Sequence, residues 1–426
     1  MGSDDTTPTT VPPAPPVVGT TPDHLGDGPP PPHVPVATGW TLRWALATVA
    51  AVVFGIATLL IFFGDAEWIG VDDYVLAPGS ATDTASAVRI EGAESFPPEG
   101  EIDFTTVSIR RDVTIWDWFR ARSSDTSELV PPEEVDGDRS RDETRQITQF
   151  QMDQSQDTAV LVALQYLGYE LVPQVEGAFV ITLVPESPAA AALRLGDLVV
   201  AVDGDPIDES SDLADAISGR SPGDEVTLSI RRHPDGIGGD SDGAAEEEVD
   251  IVLAAHPEID GAGFLGVQIE TPVTVDAPFD VVIDVGRVRG PSAGLAFSLA
   301  VLDVATPGEL TGGNRIATTG TIDRFGNVGQ VGGVAQKVAA AKREGVEVFL
   351  VPPPEYAVAV EAAGDDIAIA CVQTFDDAVI ELAENYGGNG IEVALEAGAP
   401  APERSPSPVD PDDGFLTCAE VVGAAL

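Results

Sequence analysis

The stretch RGPSAGLAFSLAVLD, residues 289–303, determines most of what the sequence predicts about the C-terminal half of the chain. Gly290 and Pro291 precede an apolar run, and proline favours the first turn of a helix, where its missing N–H costs nothing. We therefore predict a helix over 292–304, with Ser292 in its first turn, amid unpaired amides and the positive end of the helix dipole. Such amides can stabilise an oxyanion, so Ser292 is a candidate nucleophile.

The base that would activate this serine is not a histidine. The letters G-x-S-x-G also occur in α/β-hydrolases, which place an acid and a histidine after the serine. The four histidines stand at 24, 33, 233 and 256, and none follows Ser292. A chymotrypsin-like order would have to use position 233 or 256, close to the serine, and the sequence has no G-D-S-G-like motif. Ser–Lys pairs are a known alternative.

Lysine is rare in this chain, since only Lys337 and Lys342 are lysines among the 21 basic residues. Lys337 lies in GGVAQKVAAA, residues 332–341, and its neighbours three and four positions away are glycine, valine and alanine. Burial among neutral groups would lower its pKa from the ordinary value of about 10.4. Lys342 precedes Arg343 and Glu344, and we predict that it is solvated.

Three segments resemble the Lon peptidase domain over roughly residues 262–384: the opening stretch, IATTGTIDRFGNVGQVGGVAQKVAAAKREGV (316–346) and VFLVPPPE (348–355). The resemblance implies that Ser292 is the nucleophile, Lys337 the general base and Thr319 a residue that orients the lysine amine. Arg289 stands where many family members carry an acid, and its role stays open. C-terminal processing peptidases also combine a Ser–Lys pair with a PDZ domain, but their S-A-S-A-E motif is missing here and their Ser–Lys gap is shorter.

Strands alternate with helices in this region, which predicts an α/β domain over residues 257–386. The predicted order is strand 281–285, helix 292–304, strand 316–322, helix 334–344, strand 348–351 and helix 375–384.

The segment ESPAAAALRLGDLVVAVDG, residues 186–204, follows a predicted strand at 178–184 and precedes a predicted helix at 210–218. With a short helix expected at 193–195 and a strand at 226–231, it resembles a mostly β PDZ domain of the bacterial protease type over residues 169–256. PDZ domains add an extended peptide as a strand and hold its carboxylate with loop amides. The resemblance implies that this loop is Glu176-Gly177-Ala178-Phe179. The alternative is a domain that only packs against its neighbours.

The segment WALATVAAVVFGIATLLIFF, residues 44–63, has no charge, and as a helix it would span about 30 Å. We predict a transmembrane helix over 41–64. A cleaved signal peptide is the alternative, although the apolar run is too long and no A-x-A site follows it. Arg43 precedes the span and acids follow it, which predicts a cytoplasmic N-terminus.

The remaining segments contain fewer recognisable sequence motifs. Residues 1–40 are rich in Pro, Thr and Asp and are predicted to be a disordered cytoplasmic tail. Residues 65–168 are predicted to be an accessory extracytoplasmic segment, with a strand at 102–109, a loop at 125–145 and a helix at 153–167. A hairpin loop is expected at 235–245, and residues 387–426 form a Gly- and Pro-rich tail.

Composition excludes several partners. With 71 acids against 21 bases, the net charge of −50 argues against nucleic acid and anionic lipid. Cys371 and Cys418 fit no metal spacing, and a disulfide and two unrelated thiols both stay open. Neither lysine follows a glycine, so the chain has no Walker A loop, and no cofactor is predicted.

These features together predict an ATP-independent, membrane-anchored serine endopeptidase outside the cytoplasm. Its partners would be protein or peptide substrates, recruited or gated by the PDZ domain, and the membrane; a homo-oligomer stays open. The alternative is a catalytically inactive PDZ membrane adaptor with a Lon-like domain. The natural substrate and the cleavage preference do not follow from the sequence.

Overall fold

The computed structural model describes residues 39–63, 72–233, 237, 245–405 and 418–425. The chain divides into two units between Thr58 and Leu59. The first unit holds most of helix α1, Gly39–Phe63, which is long and apolar enough to cross a membrane by length and composition. The predicted span over 44–63 is therefore a helix. The predicted disordered tail lies almost wholly outside the described residues.

The second unit contains the other described elements. Its helices are α2 (Ile115–Arg122), α3 (Pro132–Asp136), α4 (Arg141–Tyr166), α5 (Pro188–Ala192), α6 (Ser210–Ser218), α7 (Gly294–Ala305), α8 (Val334–Glu344), α9 (Tyr356–Ala363), α10 (Phe375–Tyr386), α11 (Gly390–Glu396) and α12 (Cys418–Ala425). Its strands up to the middle of the chain are β1 (Tyr74–Asp83), β2 (Val88–Glu91), β3 (Glu101–Arg110), β4 (Glu128–Val130), β5 (Gln174–Val175), β6 (Ala178–Leu183), β7 (Leu198–Val202), β8 (Asp205–Pro206), β9 (Glu225–Arg232) and β10 (Ala245–Val252). The later strands are β11 (Ala254–Ala255), β12 (Gly263–Phe264), β13 (Val267–Glu270), β14 (Val273–Thr274), β15 (Asp280–Ile283), β16 (Arg315–Thr318), β17 (Thr321–Ile322), β18 (Val328–Gly329), β19 (Val348–Val351) and β20 (Ala368–Cys371).

The main sheet joins the two ends of this unit. Its strand order is β20-β19-β16-β3-β1-β4. Strand β3 runs parallel to β16, with Ile102 opposite Ile316 and Phe104 opposite Thr318. Residues 65–168 were expected to be an accessory segment. Their described part instead belongs to the C-terminal α/β domain, because β1 and β3 are integral strands of its main sheet.

Helix α4 completes this domain by packing against α7. The shared core contains Leu164 of α4 and Phe297 of α7, both fully buried, with Phe104 of β3 against the latter in an edge-to-face contact. The expected loop over 125–145 was wrong, since it holds β4, α3 and the first turn of α4. Ser140 accepts from the Glu143 amide and Glu143 accepts from the Ser140 amide, a capping box that starts α4 at Arg141.

The PDZ-like unit is inserted into this α/β domain. Its sheet has the order β10-β9-β7-β6-β13, with β8 beside β7, and it has its own apolar core. The short ladder of β5 and β14, with Val175 opposite Val273, closes the base of the insertion. The helix expected at 193–195 is instead α5, which ends at Ala192, because Ser187 caps its start and Leu193 turns extended. Most of the expected hairpin loop at 235–245 lies outside the described residues.

The two cysteines are paired. Cys371, at the end of β20, and Cys418, at the start of α12, form a disulfide with a Cα–Cα distance of 5.5 Å. This resolves the alternative that the sequence left open. The C-terminal segment, expected to be only a Gly- and Pro-rich tail, contains α11 and α12 in its described part.

Candidate active site

Ser292 lies in a tight turn immediately before α7. The Gly294 amide donates to the Pro291 carbonyl at 3.2 Å, and Ala293 is the N-cap residue. The helix therefore begins two residues later than predicted, and Ser292 lies beside the N-terminus of α7 and not in its first turn. Gly290 has φ +90°, a backbone conformation that favours glycine and sets the entry to this turn.

Two neighbouring segments hold the serine turn in place. From α4, the Thr148 carbonyl accepts from the Gly290 amide at 2.8 Å, and Ser155 Oγ donates to the Pro291 carbonyl at 3.2 Å. From the other side, the Gly320 amide donates to the Ser292 carbonyl at 3.0 Å. The part played by α4 leaves no signal in the sequence, because no local motif links residues 136 positions apart.

Lys337 projects from α8 into the interior next to this turn. The side chain is buried, with 3% of the residue exposed. Its Nζ donates to Thr319 Oγ1 at 2.9 Å, and Thr319 Oγ1 donates to the Ser292 carbonyl at 3.2 Å. The structure thus connects the three residues singled out in the sequence through one hydrogen-bonded chain.

The electrostatics of Lys337 follow from its burial. Desolvation lowers its pKa from 10.5 to about 8, and the negative charge of Glu355 opposes that shift. Glu355 accepts from the Val331 amide through Oε1, while its Oε2 is buried and has no hydrogen-bond partner among the described residues. A substantial fraction of Lys337 is therefore neutral near pH 8, which a general base requires.

A cleft of about 1,440 Å³ contains both Ser292 and Lys337 in its wall, together with residues of β3, α4 and the turn before α8. The backbone amides of Ser292 and Ala293, which also line it, donate to no acceptor among the residues described. Gly333 enters α8 with φ +68°, and a Cβ there would lie 2.6 Å from Val107 Cγ2. Gly333 therefore allows α8 to approach β3 closely.

Neither of the two described histidines, His233 and His256, lines this cleft. His256 lies between β11 and β12, where its Nδ1 accepts from the Glu258 and Ile259 amides at 3.1 Å. His233 directly follows β9 of the inserted unit. Over the described ranges, no group of three or more His, Cys, Asp or Glu side chains is arranged to hold a metal ion.

The predicted peptide-binding loop is wrong in position. Ala178 and Phe179 belong to β6, which pairs with β7 on one side and β13 on the other. An interior strand has no free edge to which a peptide could be added. Glu176 instead forms an ion pair with Arg231, and a Cβ on Gly177 would clash with the Val199 carbonyl.

Strand β13 is the edge of this sheet. Among the described strands it pairs with β6 alone. It is preceded by the segment Gly263–Gly266, which begins with β12, and α6 starts beside its end. There the Ser210 amide donates to Thr271 Oγ1 at 2.9 Å. The predicted boundaries of the inserted domain, 169–256, are therefore too short at the C-terminal end, because its edge strand β13 lies at 267–270, within the range predicted for the α/β domain.

Comparison with known proteins agrees with both parts of this architecture. A model of the PDZ domain matches residues 165–252, and a model of the Lon protease C-terminal proteolytic domain matches residues 281–383. Over 119 residues the chain is 34% identical to Lon protease of Haemophilus influenzae, covering 27% of this chain and 14% of that protein. Over 98 residues it is 33% identical to Lon protease 2 of Bacillus subtilis, covering 23% of this chain and 17% of that protein.

The chain thus spans less than a fifth of the length of these curated relatives. Among solved structures, the PDZ domain of an SdrC-like protein from Listeria monocytogenes is 26% identical, with a TM-score of 0.19, covering 22% of this chain and 87% of that one.

Proposed function

We propose that this chain, which carries a PDZ domain together with a Lon-type proteolytic domain, is an ATP-independent serine endopeptidase with Ser292 as nucleophile and Lys337 as general base. The observation that supports this most is the buried Lys337 amine, which is bound to Thr319 and through it to the backbone of Ser292. A buried lysine without a carboxylate in hydrogen-bond contact costs stability, so its retention fits a chemical role better than a structural one.

The proposed reaction has two steps, acylation and deacylation, and Lys337 accepts and releases one proton in each. Neutral Lys337 takes the proton of Ser292 Oγ as that oxygen attacks the scissile carbonyl, and it then gives the proton to the leaving amine. Lys337 then takes a proton from the water that attacks the acyl-enzyme ester and returns it to Ser292 Oγ as that oxygen leaves, which releases the carboxylic acid product. Thr319 is a positioning residue here, since its hydroxyl accepts a hydrogen bond from Nζ and so fixes the place of the amine.

The oxyanion would be bound by the free amides at the serine turn. The amides of Ser292 and Ala293 line the cleft without an acceptor, and the N-terminus of α7 adds the positive end of its dipole. Because these donors are fixed by the fold before substrate arrives, they need no reorganisation during the reaction.

The PDZ domain would recruit or gate substrates at its edge strand. An extended peptide added to β13 would lie beside α6, and its terminal carboxylate would bind to the segment Gly263–Gly266. This proposal replaces the loop Glu176–Phe179, which has no free edge.

The proposed location is outside the cytoplasm, with α1 as a retained membrane anchor. The Cys371–Cys418 disulfide supports an oxidising compartment, since such bonds are rare in the cytosol. The helix α1 has the length and composition of a membrane span.

The test is turnover of an unfolded protein such as casein by the full-length chain in detergent, without ATP. Ser292→Ala should abolish turnover and leave the circular dichroism spectrum and the melting temperature nearly unchanged. Residual casein cleavage by Ser292→Ala equal to that of the wild type would refute the assignment. No cleavage by the folded wild type would favour an inactive PDZ adaptor instead.

A further inference from the structure

Arginine is concentrated along the cleft that contains Ser292. The whole chain has 71 acidic and 21 basic residues. The cleft wall reverses this ratio, because it holds seven basic residues against the three acids Asp112, Glu128 and Glu134. Six of the seven are arginines: Arg110, Arg111, Arg141, Arg145, Arg287 and Arg289.

Two of these arginines stabilise the fold. Arg111 binds Asp136 at 2.9 Å, and that carboxylate is almost fully buried. Arg110 pairs with Asp117, which caps the start of α2. The other four, Arg141, Arg145, Arg287 and Arg289, are called here the arginine rim.

The arginine rim has charge available for a ligand. Arg287 and Arg289 are exposed and form no ion pair with any acid in the described chain. The single polar contact that the structure shows for them is a long one of 3.5 Å from Arg289 Nη1 to the Arg287 carbonyl. The pairs of Arg141 with Asp112 and of Arg145 with Asp142 have more than half of each side chain exposed. Such pairs contribute little and exchange readily for another carboxylate.

The position of the arginine rim brings it close to the nucleophile. Arg287 and Arg289 lie five and three residues before Ser292 on the same loop. Arg141 and Arg145 lie on α4, seven and three residues before Thr148, and therefore on one face with it. Because the Thr148 carbonyl accepts from the Gly290 amide, that face of α4 adjoins the serine loop.

We infer that the arginine rim makes the enzyme select polypeptide segments with Asp or Glu side chains close to the scissile bond. This inference rests on the proposed function of Ser292. Guanidinium groups bind carboxylates with two parallel hydrogen bonds, which lysine does not provide. Of the acids near the rim, Asp112 and Asp142 pair with Arg141 and Arg145, and no described acid pairs with Arg287 or Arg289.

The test compares two fluorogenic peptides that differ only in flanking residues, Glu in one and Gln in the other. The measured quantity is the ratio of kcat/KM for the Glu peptide to that for the Gln peptide, with the full-length chain in detergent. We expect a ratio of about ten or more in the wild type, falling several-fold as salt is raised. The double variant Arg287→Gln/Arg289→Gln should bring the ratio close to one. Arg343→Gln, an exposed arginine on α8 outside the cleft, is the matched control and should keep the wild-type ratio.

Charge reversal separates recognition from a structural effect. Arg287→Glu/Arg289→Glu should prefer a peptide with flanking Lys over the Glu peptide, which mere loop damage would not produce. A wild-type ratio near one, with both peptides cleaved, overturns the inference and leaves the proposed function standing. If neither peptide is cleaved faster by the wild type than by Ser292→Ala, the proposed function fails, and this inference fails with it. If the variants at Arg287 and Arg289 do not fold, the double variant Arg141→Gln/Arg145→Gln on α4 is measured in their place. It should lower the ratio, and an unchanged ratio would overturn the inference.

Discussion

At the scale of single residues, the site depends on how Lys337 can be uncharged near neutral pH. The neighbours of Lys337 on the helix are small and neutral, which already indicated this in the sequence, and the structure shows the burial that they allow.

Lys342 was predicted to be solvated. It is instead partly buried, and its Nζ donates to the Ala362 and Ala363 carbonyls at 3.2 and 3.0 Å, near the C-terminal end of α9. That difference arises because a cation is stabilised by the carbonyls at a helix end, a contact between separate helices that helical spacing does not show.

Lys337→Arg should be as inactive as Lys337→Ala, because a guanidinium does not give up its proton in a protein. The rate of the wild type should rise with pH along a limb near pH 8, where burial places the pKa of Lys337. Both are measured as kcat/KM on one fluorogenic peptide between pH 6 and 10. Lys342→Arg is the control, since an arginine can keep its contacts with helix-end carbonyls. Near-normal turnover by Lys337→Arg would show that Ser292 takes its base from elsewhere.

Lys337→Met should be inactive and more stable than the wild type at pH 7. A pKa lowered from 10.5 to about 8 corresponds to a cost of about 3 kcal/mol for holding the charged amine in the fold at neutral pH. Between about pH 8 and 10.5 the unfolded chain binds more protons than the folded chain, so the wild type gains stability as pH rises through this window. The stability advantage of Lys337→Met over the wild type should therefore shrink toward pH 10. Denaturant unfolding of both proteins at pH 7 and pH 10 measures the difference in their free energies of unfolding. An equal difference at the two pH values would contradict this prediction.

At the scale of elements, the local pattern predicted helices and strands whose ends carry clear signals. Helix α8 and strand β19 have the predicted bounds, as does α6 in the inserted domain. The first three turns of α4 were missed because they are polar, although the S-x-x-E spacing of Ser140 and Glu143 marks their start. The pairing of β3 with β16 was out of reach, since it joins residues more than 200 positions apart and leaves no local pattern.

Helix α4 is expected to act on catalysis through the serine turn. Ser155→Ala removes the hydrogen bond to the Pro291 carbonyl, which at about 1 kcal/mol corresponds to a loss of roughly fivefold. We expect the loss in kcat and not in KM, because Ser155 does not line the cleft. Gln149→Ala is the control on the same helix, since Gln149 is exposed and bonds only to Asp153. An unchanged kcat in Ser155→Ala would show that the turn keeps its geometry without this contact.

At the scale of the whole molecule, the inserted PDZ domain is packed against the peptidase domain. Phe150 of α4 stacks on Phe179 of β6 with ring centroids 4.0 Å apart, and Gln151 donates to Glu270 at 2.6 Å. Arg324, in the turn after β17, forms an ion pair with Glu209 at the start of α6. Phe150 and Arg324 lie close in sequence to residues that contact the serine turn, since Thr148 precedes Phe150 by two positions and Thr319 precedes Arg324 by five. The contacts of Phe150 and Arg324 therefore connect the inserted domain to the two segments that hold the serine turn.

Excision of the insertion tests this arrangement. Val175 and Val273 are paired neighbours in the β5–β14 ladder, so replacing residues 176–272 by a short Gly/Ser turn leaves the peptidase core connected. We expect the shortened protein to fold and to hydrolyse short fluorogenic peptides, since Ser292, Thr319 and Lys337 all lie outside the excised segment. Its KM for an unfolded protein with a free C-terminus should rise about tenfold, because the edge of β13 is gone.

The control is a full-length chain in which only strand addition is impaired. Ile269→Pro, in the middle of β13, removes one backbone N–H of the edge strand and part of the packing of Ile269 on the inserted unit's core, and it leaves the Phe150–Phe179 contact with α4 in place. If that variant and the excised protein show the same rise in KM, the PDZ domain acts by capturing substrate at β13. If excision instead abolishes hydrolysis of short peptides while the protein stays folded, the contacts of Phe150 and Arg324 with the insertion are needed to hold the serine turn. A fully unfolded excision product would show that the insertion is part of the peptidase core, contrary to the separate apolar cluster that it contains.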